Sequence, residues 1–255
     1  MARIIQTEPL TRKSFAPFGD VIENPLSTLH PFAASTSSDP LPFDGISANQ
    51  GSAIKYQHVS RQVNLYPQAP SGVSGLSVMN MFVCAARVSI PSSSSPSTNP
   101  TTFTIRVLER HPYTTQTFIP LSNPTHQHKA KNYLVIVAPT LPPSPSDRED
   151  FPVPDKLDSP DYPRPLPGRG MPDLSRVRAF VASSPQQAVT YGAGTWHAPM
   201  VTLGEKGDML DFLVVQFSNG VGSEDCQEVY FEGEKYEKLT VKVDALPEGA
   251  ELAKL

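Results

Sequence analysis

The chain has 255 residues, of which 38% are hydrophobic and 18% charged, and its formal net charge is −4. A balance this near neutrality, on the acidic side, supplies no basic field to hold a polyanion, so nucleic acid is not an expected partner. The 28 prolines and 15 glycines cut the chain into short pieces, which suits strands and turns better than long helices.

The opening Met1-Ala2-Arg3-Ile4-Ile5 has no apolar signal core, and no segment approaches the ~18 apolar residues of a membrane span. An intracellular, cytoplasmic protein without membrane contact is the expectation. The two cysteines, Cys84 and Cys226, are far apart and show no metal or disulfide spacing. Cys84, inside Met79-Asn80-Met81-Phe82-Val83-Cys84, reads as a buried small hydrophobe. A single domain over 1–255 fits the length, because all-β units often exceed 200 residues.

In chain order, Thr11 is placed to cap a short helix, followed by Gly19-Asp20 and a strand at Val21-Ile22. Residues 26–51 lack periodicity and read as a loop carrying His30, leading into the turn Asn49-Gln50-Gly51 and a strand through Lys55. A Ser/Pro-rich tract at about 89–102 and a Pro-rich stretch at 141–172 read as surface insertions, the second partly in polyproline geometry. Neither is expected to carry chemistry.

Between and after the insertions lie short Val/Ile/Phe/Thr-rich runs at 103–108, 117–121, 133–138, 178–182, 188–191 and 211–217, bounded by Pro, Gly and Asn. They predict an all-β fold with a few short helices, an antiparallel β-barrel or jelly roll. Leu174-Ser175-Arg176 is a turn, and the tail from Glu232 reads as a solvated closing strand and end segment.

Glu109 and His111 alternate at the end of the strand predicted from Phe103, so the period of two turns both side chains to one face. Gln116 opens the next strand, and His197 lies in Gly194-Thr195-Trp196-His197. The arrangement Glu109-x-His111-x4-Gln116 with Gly194-x2-His197 is similar to the cupin spacing H-x-H-x4-E with G-x2-H. Its ligand set differs, since a neutral Gln removes a charge that helps dehydrate a cation. The expectation is therefore a site without metal or other cofactor; were a divalent ion bound, Glu109, His111, Gln116 and His197 would hold it.

Histidine exchanges protons near neutral pH, which makes His111 and His197 candidate acid/base residues. The bland alternative is a pair of satisfied barrel histidines. Glu109 is a candidate for orienting an imidazole or for the base itself, with pairing to Arg110 as the competing reading. Gln116 has the donor and acceptor to bind a polar substrate. Arg178, Lys55 and Arg110 are candidates for holding a carboxylate, and Asn49 and Gly51 for bringing a backbone turn close to it. His58, His126 and His128 lie in polar loops. Cys226 is disfavoured as a nucleophile, because Glu224, Asp225 and Glu228 oppose a thiolate.

The blocks Phe15 to Ile22, Asn49-Gln50-Gly51, Glu109-Arg110-His111-Pro112 with Thr115 to Leu121, Leu174 to Phe180, Val189-x-Tyr191 with Thr195-Trp196-His197-Ala198-Pro199, and Asp211-Phe212-Leu213 resemble the ureidoglycolate lyase family. They occur in family order and cover most of the chain outside the insertions. The resemblance implies a cupin-like homodimer that cleaves (S)-ureidoglycolate, a small-molecule substrate, to glyoxylate and urea in allantoin and purine catabolism. Tyr191 joins Gln116, Arg178, Lys55, Asn49 and Gly51 as a candidate substrate contact. A sheet edge or an apolar patch around Phe118 and Trp196 is a candidate for the two-fold contact, with core packing as the other reading of Trp196. Position 198 is Ala198, so a His-His pair following His197 is absent. Competing readings are a metal-dependent cupin enzyme, an amidohydrolase releasing ammonia, and a non-catalytic binding protein.

Overall fold

The computed structural model describes residues 3–88, 101–121, 130, 132–145, 147–155, 164, 166, 168–182, 184, 186–231 and 237–243. Its strands are β1 (Arg3–Pro9), β2 (Gly19–Ile22), β3 (Ile46–Ala48), β4 (Ala53–Lys55), β5 (Leu76–Val88), β6 (Thr101–Thr104), β7 (Val107–Arg110) and β8 (Gln116–Leu121), then β9 (Asn132–Ala138), β10 (Arg178–Ala182), β11 (Ala188–Tyr191), β12 (Trp196–His197), β13 (Val201–Leu203), β14 (Met209–Ser218), β15 (Gln227–Tyr230) and β16 (Leu239–Val243). The helices are single turns: α1 (Arg12–Phe15), α2 (Pro31–Ala34) and α3 (Gly222–Asp225). No helix among the described residues is long and apolar enough to cross a membrane.

The all-β expectation stands, with a difference in pairing. One large sheet runs β2-β11-β8-β14-β5-β13-β9-β10-β1-β16-β6, with β7 joined to β12 and β15, and β12 also to β9. Most pairs are antiparallel, but β1 runs parallel to both β10 and β16, and β13 parallel to β5. The sheet is therefore mixed, and among the described residues its path is open at β2 and β6. The run 103–108 is two strands: β6 pairs with β16, whereas β7 pairs with β15 and β12.

Strands β9 and β10 lack polar alternation because they are buried on both faces. Leu134, Ile136, Ala138, Ala179 and Val181 face one core with Trp196, Leu108 and Val241. Tyr133, Val135, Val137, Phe180 and Ala182 face a second core with Phe15, Phe118, Tyr191 and Phe212. Helix α1 closes the second core with Phe15, and Thr11 caps it reciprocally: Ser14 N–H donates to Thr11 Oγ1 at 3.1 Å and Thr11 N–H to Ser14 Oγ at 3.3 Å.

Three expectations are corrected. His30 does not ride a featureless loop; its Nδ1 accepts from Phe32 N–H and caps α2. The second insertion is not wholly a surface excursion, since Phe151, Val153 and Pro172 are buried and Phe151 belongs to the first core. Proline removes a donor but not apolar surface, so a Pro-rich segment still packs where it carries a few hydrophobic residues. Phe118 and Trp196, only 3% and 0% exposed, make no surface patch; both pack in the interior, which is the core reading of Trp196. The first insertion lies outside the described residues from 89 to 100. Cys84 is half-buried against the second core.

Candidate active site

Strand β7 carries the site because its two neighbours deliver the remaining groups. Glu109 stands opposite His197 of β12 on one side and opposite Glu228 of β15 on the other. Residues paired in this way share a face, and His111, two beyond Glu109, is on that face as well. Gly194 N–H donates to the His111 carbonyl at 2.8 Å. Gly194 does so at φ 73°, a conformation that costs glycine little. The His111 and His197 rings lie 5.6 Å apart between centroids.

Both imidazoles are fixed in orientation by backbone carbonyls. His111 Nδ1 lies 2.6 Å from the Asp225 carbonyl and His197 Nδ1 lies 2.8 Å from the Thr195 carbonyl. A carbonyl has no hydrogen to give, so each Nδ1 donates and each Nε2 is the nitrogen left to exchange a proton. Both Nε2 atoms are buried without a hydrogen-bond partner. Glu109 Oε1 approaches His197 Nε2 at 3.5 Å, an electrostatic contact longer than a normal hydrogen bond. Ligand atoms of Glu109, His111 and His197 all fall within 4.8 Å of one another.

Burial, reinforced by the charge of His197, pushes the His111 pKa down to about 4, so this ring is neutral near pH 7. For Glu109 burial works upward, but the contact with His197 and the charges of both histidines outweigh it and hold the carboxyl below its ordinary value. Tyr191 stacks on His197 with centroids 4.0 Å apart, and burial keeps its phenol protonated. Gln116 stands opposite Tyr191 on β11 and Gln216 on β14, hence on the same face. Its Nε2–H donates to Gln216 Oε1 at 2.7 Å, while its own Oε1 is buried without a partner.

The other sequence-derived residues stand elsewhere or are otherwise engaged. Arg178 lies two strands from His197 through Val137, about 10 Å by strand spacing. Its guanidinium is committed to Glu8 by bonds of 2.8 and 2.7 Å and to the Ser14 carbonyl. Lys55 is exposed on the separate β3–β4 sheet. Asn49 and Gly51 form that hairpin's turn, and a Cβ on Gly51 would meet Ser35 of the α2 segment. Arg110 does not pair with Glu109. It points to the opposite face, where Nε–H donates to Gln227 Oε1, Nη1–H to the Gly168 carbonyl, and the guanidinium lies 4.4 Å over Trp196.

Sequence reading named Asp225 and Glu228 only as charges opposing a Cys226 thiolate, not as neighbours of the histidines, and it missed Gln216. Glu228 and Cys226 form a second triad with Glu109, and burial followed by Glu109, Glu228 and Asp225 raises the Cys226 thiol to about 12. His126 and His128 lie outside the described residues. A cavity of about 650 Å³ opens beside the histidine-bearing turn, lined by Ala193, Gly194, Thr195, Phe18, Arg176 and Arg178 among others, but by neither histidine.

The comparisons with known proteins agree with one another. A family model described as ureidoglycolate lyase matches residues 2–237. A ureidoglycolate lyase of Schizosaccharomyces pombe is 34% identical over 231 residues, covering 89% of this chain and 91% of that protein. The enzyme of the same name from Saccharomyces cerevisiae is 30% identical, covering 84% and 86% of the two chains. One from Pseudomonas aeruginosa is 32% identical, covering 90% and 91%. The chain belongs to the ureidoglycolate lyase family.

Proposed function

We propose that this chain is a ureidoglycolate lyase, cleaving (S)-ureidoglycolate to glyoxylate and urea at the face shared by Glu109, His111 and His197. One observation carries the assignment of the site: two imidazole Nε2 atoms and a carboxylate converge in a buried place where neither Nε2 has a hydrogen-bond partner in the protein. The substrate's reacting carbon bears a hydroxyl and a urea N–H, two donors that such acceptors match. Its collapse moves one proton from the carbinol oxygen to the urea nitrogen as the C–N bond breaks and the carbonyl forms. No water, hydride or redox partner is consumed.

In this reading neutral His111 takes the hydroxyl proton at Nε2. His197, held as an imidazolium by Glu109 at 3.5 Å, delivers its Nε2 proton to the departing nitrogen, and the proton taken by His111 returns to His197 to reset the pair. Gln116 Oε1 accepts a urea N–H, and Tyr191 walls the site.

A second reading is favoured by charge. The ionised Glu109 stands beside a neutral His111, and the substrate brings a carboxylate of the same sign. A divalent ion held by Glu109, His111 and His197 would offset that repulsion and act as a Lewis acid toward substrate oxygen. The donor set fits, since both histidines have their Nδ1 tied and their Nε2 free, the disposition seen in metal-binding histidines. Gln116, on the same face with Oε1 unpartnered, is the candidate fourth ligand. Metal analysis of purified protein, with activity before and after chelation, separates the two readings.

The proposed assembly is a cupin-like homodimer, and the support comes from β5. Its 76–85 stretch pairs with β14 along one edge, while β13 joins the other edge only at Ala86 and Val88. Leu76, Met79, Met81 and Val83 are 70%, 69%, 59% and 64% exposed, an apolar sheet edge of the kind that a partner strand covers. A second copy related by a two-fold axis is the proposed occupant. Sedimentation of wild type and Val83→Lys tests this; a wild-type monomer would end it. An intracellular setting agrees with two unbridged cysteines. The function itself is tested by the nitrogen product: urea equal to glyoxylate supports the lyase, whereas ammonia with carbon dioxide supports an amidohydrolase.

A further inference from the structure

The loop that follows β14 is organised around one carboxylate. Asp225 Oδ1 accepts from the Tyr66 hydroxyl at 2.5 Å and from Asn219 N–H at 2.9 Å, and Oδ2 accepts from the Ser218 hydroxyl at 2.7 Å and from Gly220 N–H at 2.8 Å. The four donors come from the end of β14, the turn after it and the Tyr66 segment of a third apolar cluster. Together they close residues 218–225 into a knot whose last residue turns its backbone carbonyl toward His111 Nδ1 at 2.6 Å. Burial opposes ionisation of Asp225, but the bonds from Tyr66, Asn219, Ser218 and Gly220 outweigh it and hold the carboxyl below its ordinary value.

We propose that Asp225 is a positioning residue that fixes the tautomer and aim of His111, its carboxylate holding the loop in the one arrangement that presents its carbonyl to Nδ1. The inference deepens the proposed function and rests on His111 being its base. It separates two roles within one residue: the side chain ties the knot, and the main chain instructs the imidazole. A loosened knot lets the ring exchange between tautomers and rotamers. The population with Nε2 free at the site then falls, while substrate contacts made by other groups persist.

The test follows the histidine nitrogens by NMR in ¹⁵N-histidine-labelled protein alongside steady-state urea release. In wild type His111 carries its proton on Nδ1. Asp225→Ala is expected to mix the His111 tautomers and to lower kcat about 10-fold or more with KM little changed, the loss typical of removing support behind an active histidine. Asp225→Asn, which keeps an acceptor for Tyr66 and Asn219, should lie closer to wild type in both readouts. Where Asp225→Ala does not fold, Tyr66→Phe and Ser218→Ala each delete one donor without burying a bare charge, and the same shift in tautomer, smaller in size, is expected. An unchanged Nδ1–H tautomer in Asp225→Ala or in both donor variants overturns the proposal, as does wild-type kcat in a variant with mixed tautomers. Should wild type release no urea, the lyase reading fails, and the tautomer comparison still decides this one.

Discussion

The two faces of the β7–β12 pair differ in how completely their polar groups are satisfied. On one face Glu109, His111 and His197 bring acceptors together, and the Nε2 atoms find no partner. On the other, Arg110 Nε and Nη1 and Trp196 Nε1 give their hydrogens to Gln227 and to the Gly168 and Gly170 carbonyls, beneath a core containing Leu108 and Phe151, and only Arg110 Nη2 lacks a partner among these groups. Gln227 in turn donates to the Pro152 and Ser223 carbonyls. Successive residues of one short segment thus alternate between the candidate site and its scaffold. Buried polar groups are normally paired, so concentrated unmet acceptors mark a place built for a ligand. The back face explains why the second insertion is packed: its residues 151–153 and 168–170 cover the strands that carry the site.

Substitutions on the back face should cost stability. Trp196→Ala removes the largest fully buried side chain and should lower unfolding free energy by about 3–5 kcal/mol, read from guanidinium chloride midpoints. A shift under about 1 kcal/mol would show that this face is not the support described.

The next effect is a pH dependence from the front face. The folded protein holds His111 at about 4, against an ordinary 6.5 in the unfolded chain. Between these values the unfolded state binds a proton that the folded state declines. The stability associated with neutral His111 is therefore complete above pH 6.5 and is lost as pH falls toward 4, on the order of 3 kcal/mol in all. His111→Gln, neutral throughout, should lack this acid limb. Parallel profiles for the two proteins would contradict the burial-driven shift.

A smaller loss is expected for Arg110→Met, which leaves the Gln227 and Gly168 oxygens without their donor and should cost about 2 kcal/mol. Urea release per folded molecule should stay within about 3-fold of wild type, equivalent to less than 1 kcal/mol. The smallest effect belongs to Lys55→Ala, exposed on the β3–β4 hairpin, which should change stability by less than about 0.5 kcal/mol. Turnover should also be unchanged; a large rise in KM would mean that the hairpin reaches a substrate.

The sequence was most legible where burial and period act locally. Residues 178–182 and 188–191 read as strands and are β10 and β11, because Val, Ala and Phe without polar alternation describe strands covered on both sides. Strand β1 escaped notice: it buries Ile5 among exposed and half-exposed neighbours, and its order comes from parallel pairing with β10 and β16, which no nearby residue announces. Cys84 reads as a buried small hydrophobe, yet it is half-buried, because β13 joins β5 only at Ala86 and Val88 and leaves the 76–85 stretch paired along one edge alone, a matter of sheet order rather than composition. At the site, Glu109, His111 and His197 were legible from residue type and strand-end position. Asp225 was not, because it touches His111 through a carbonyl that every residue possesses. Arg178 carried the chemistry of a carboxylate clamp but is engaged by Glu8, whose proximity depends on parallel β1.

The account depends most on the front-face histidines moving the proton from oxygen to nitrogen, and urea release by His111→Ala and His197→Ala measures this directly. Each variant should lose about 100-fold or more in turnover, as expected when general acid/base help is removed, while circular dichroism and melting show a folded protein. Near-normal urea release from both folded variants would contradict it.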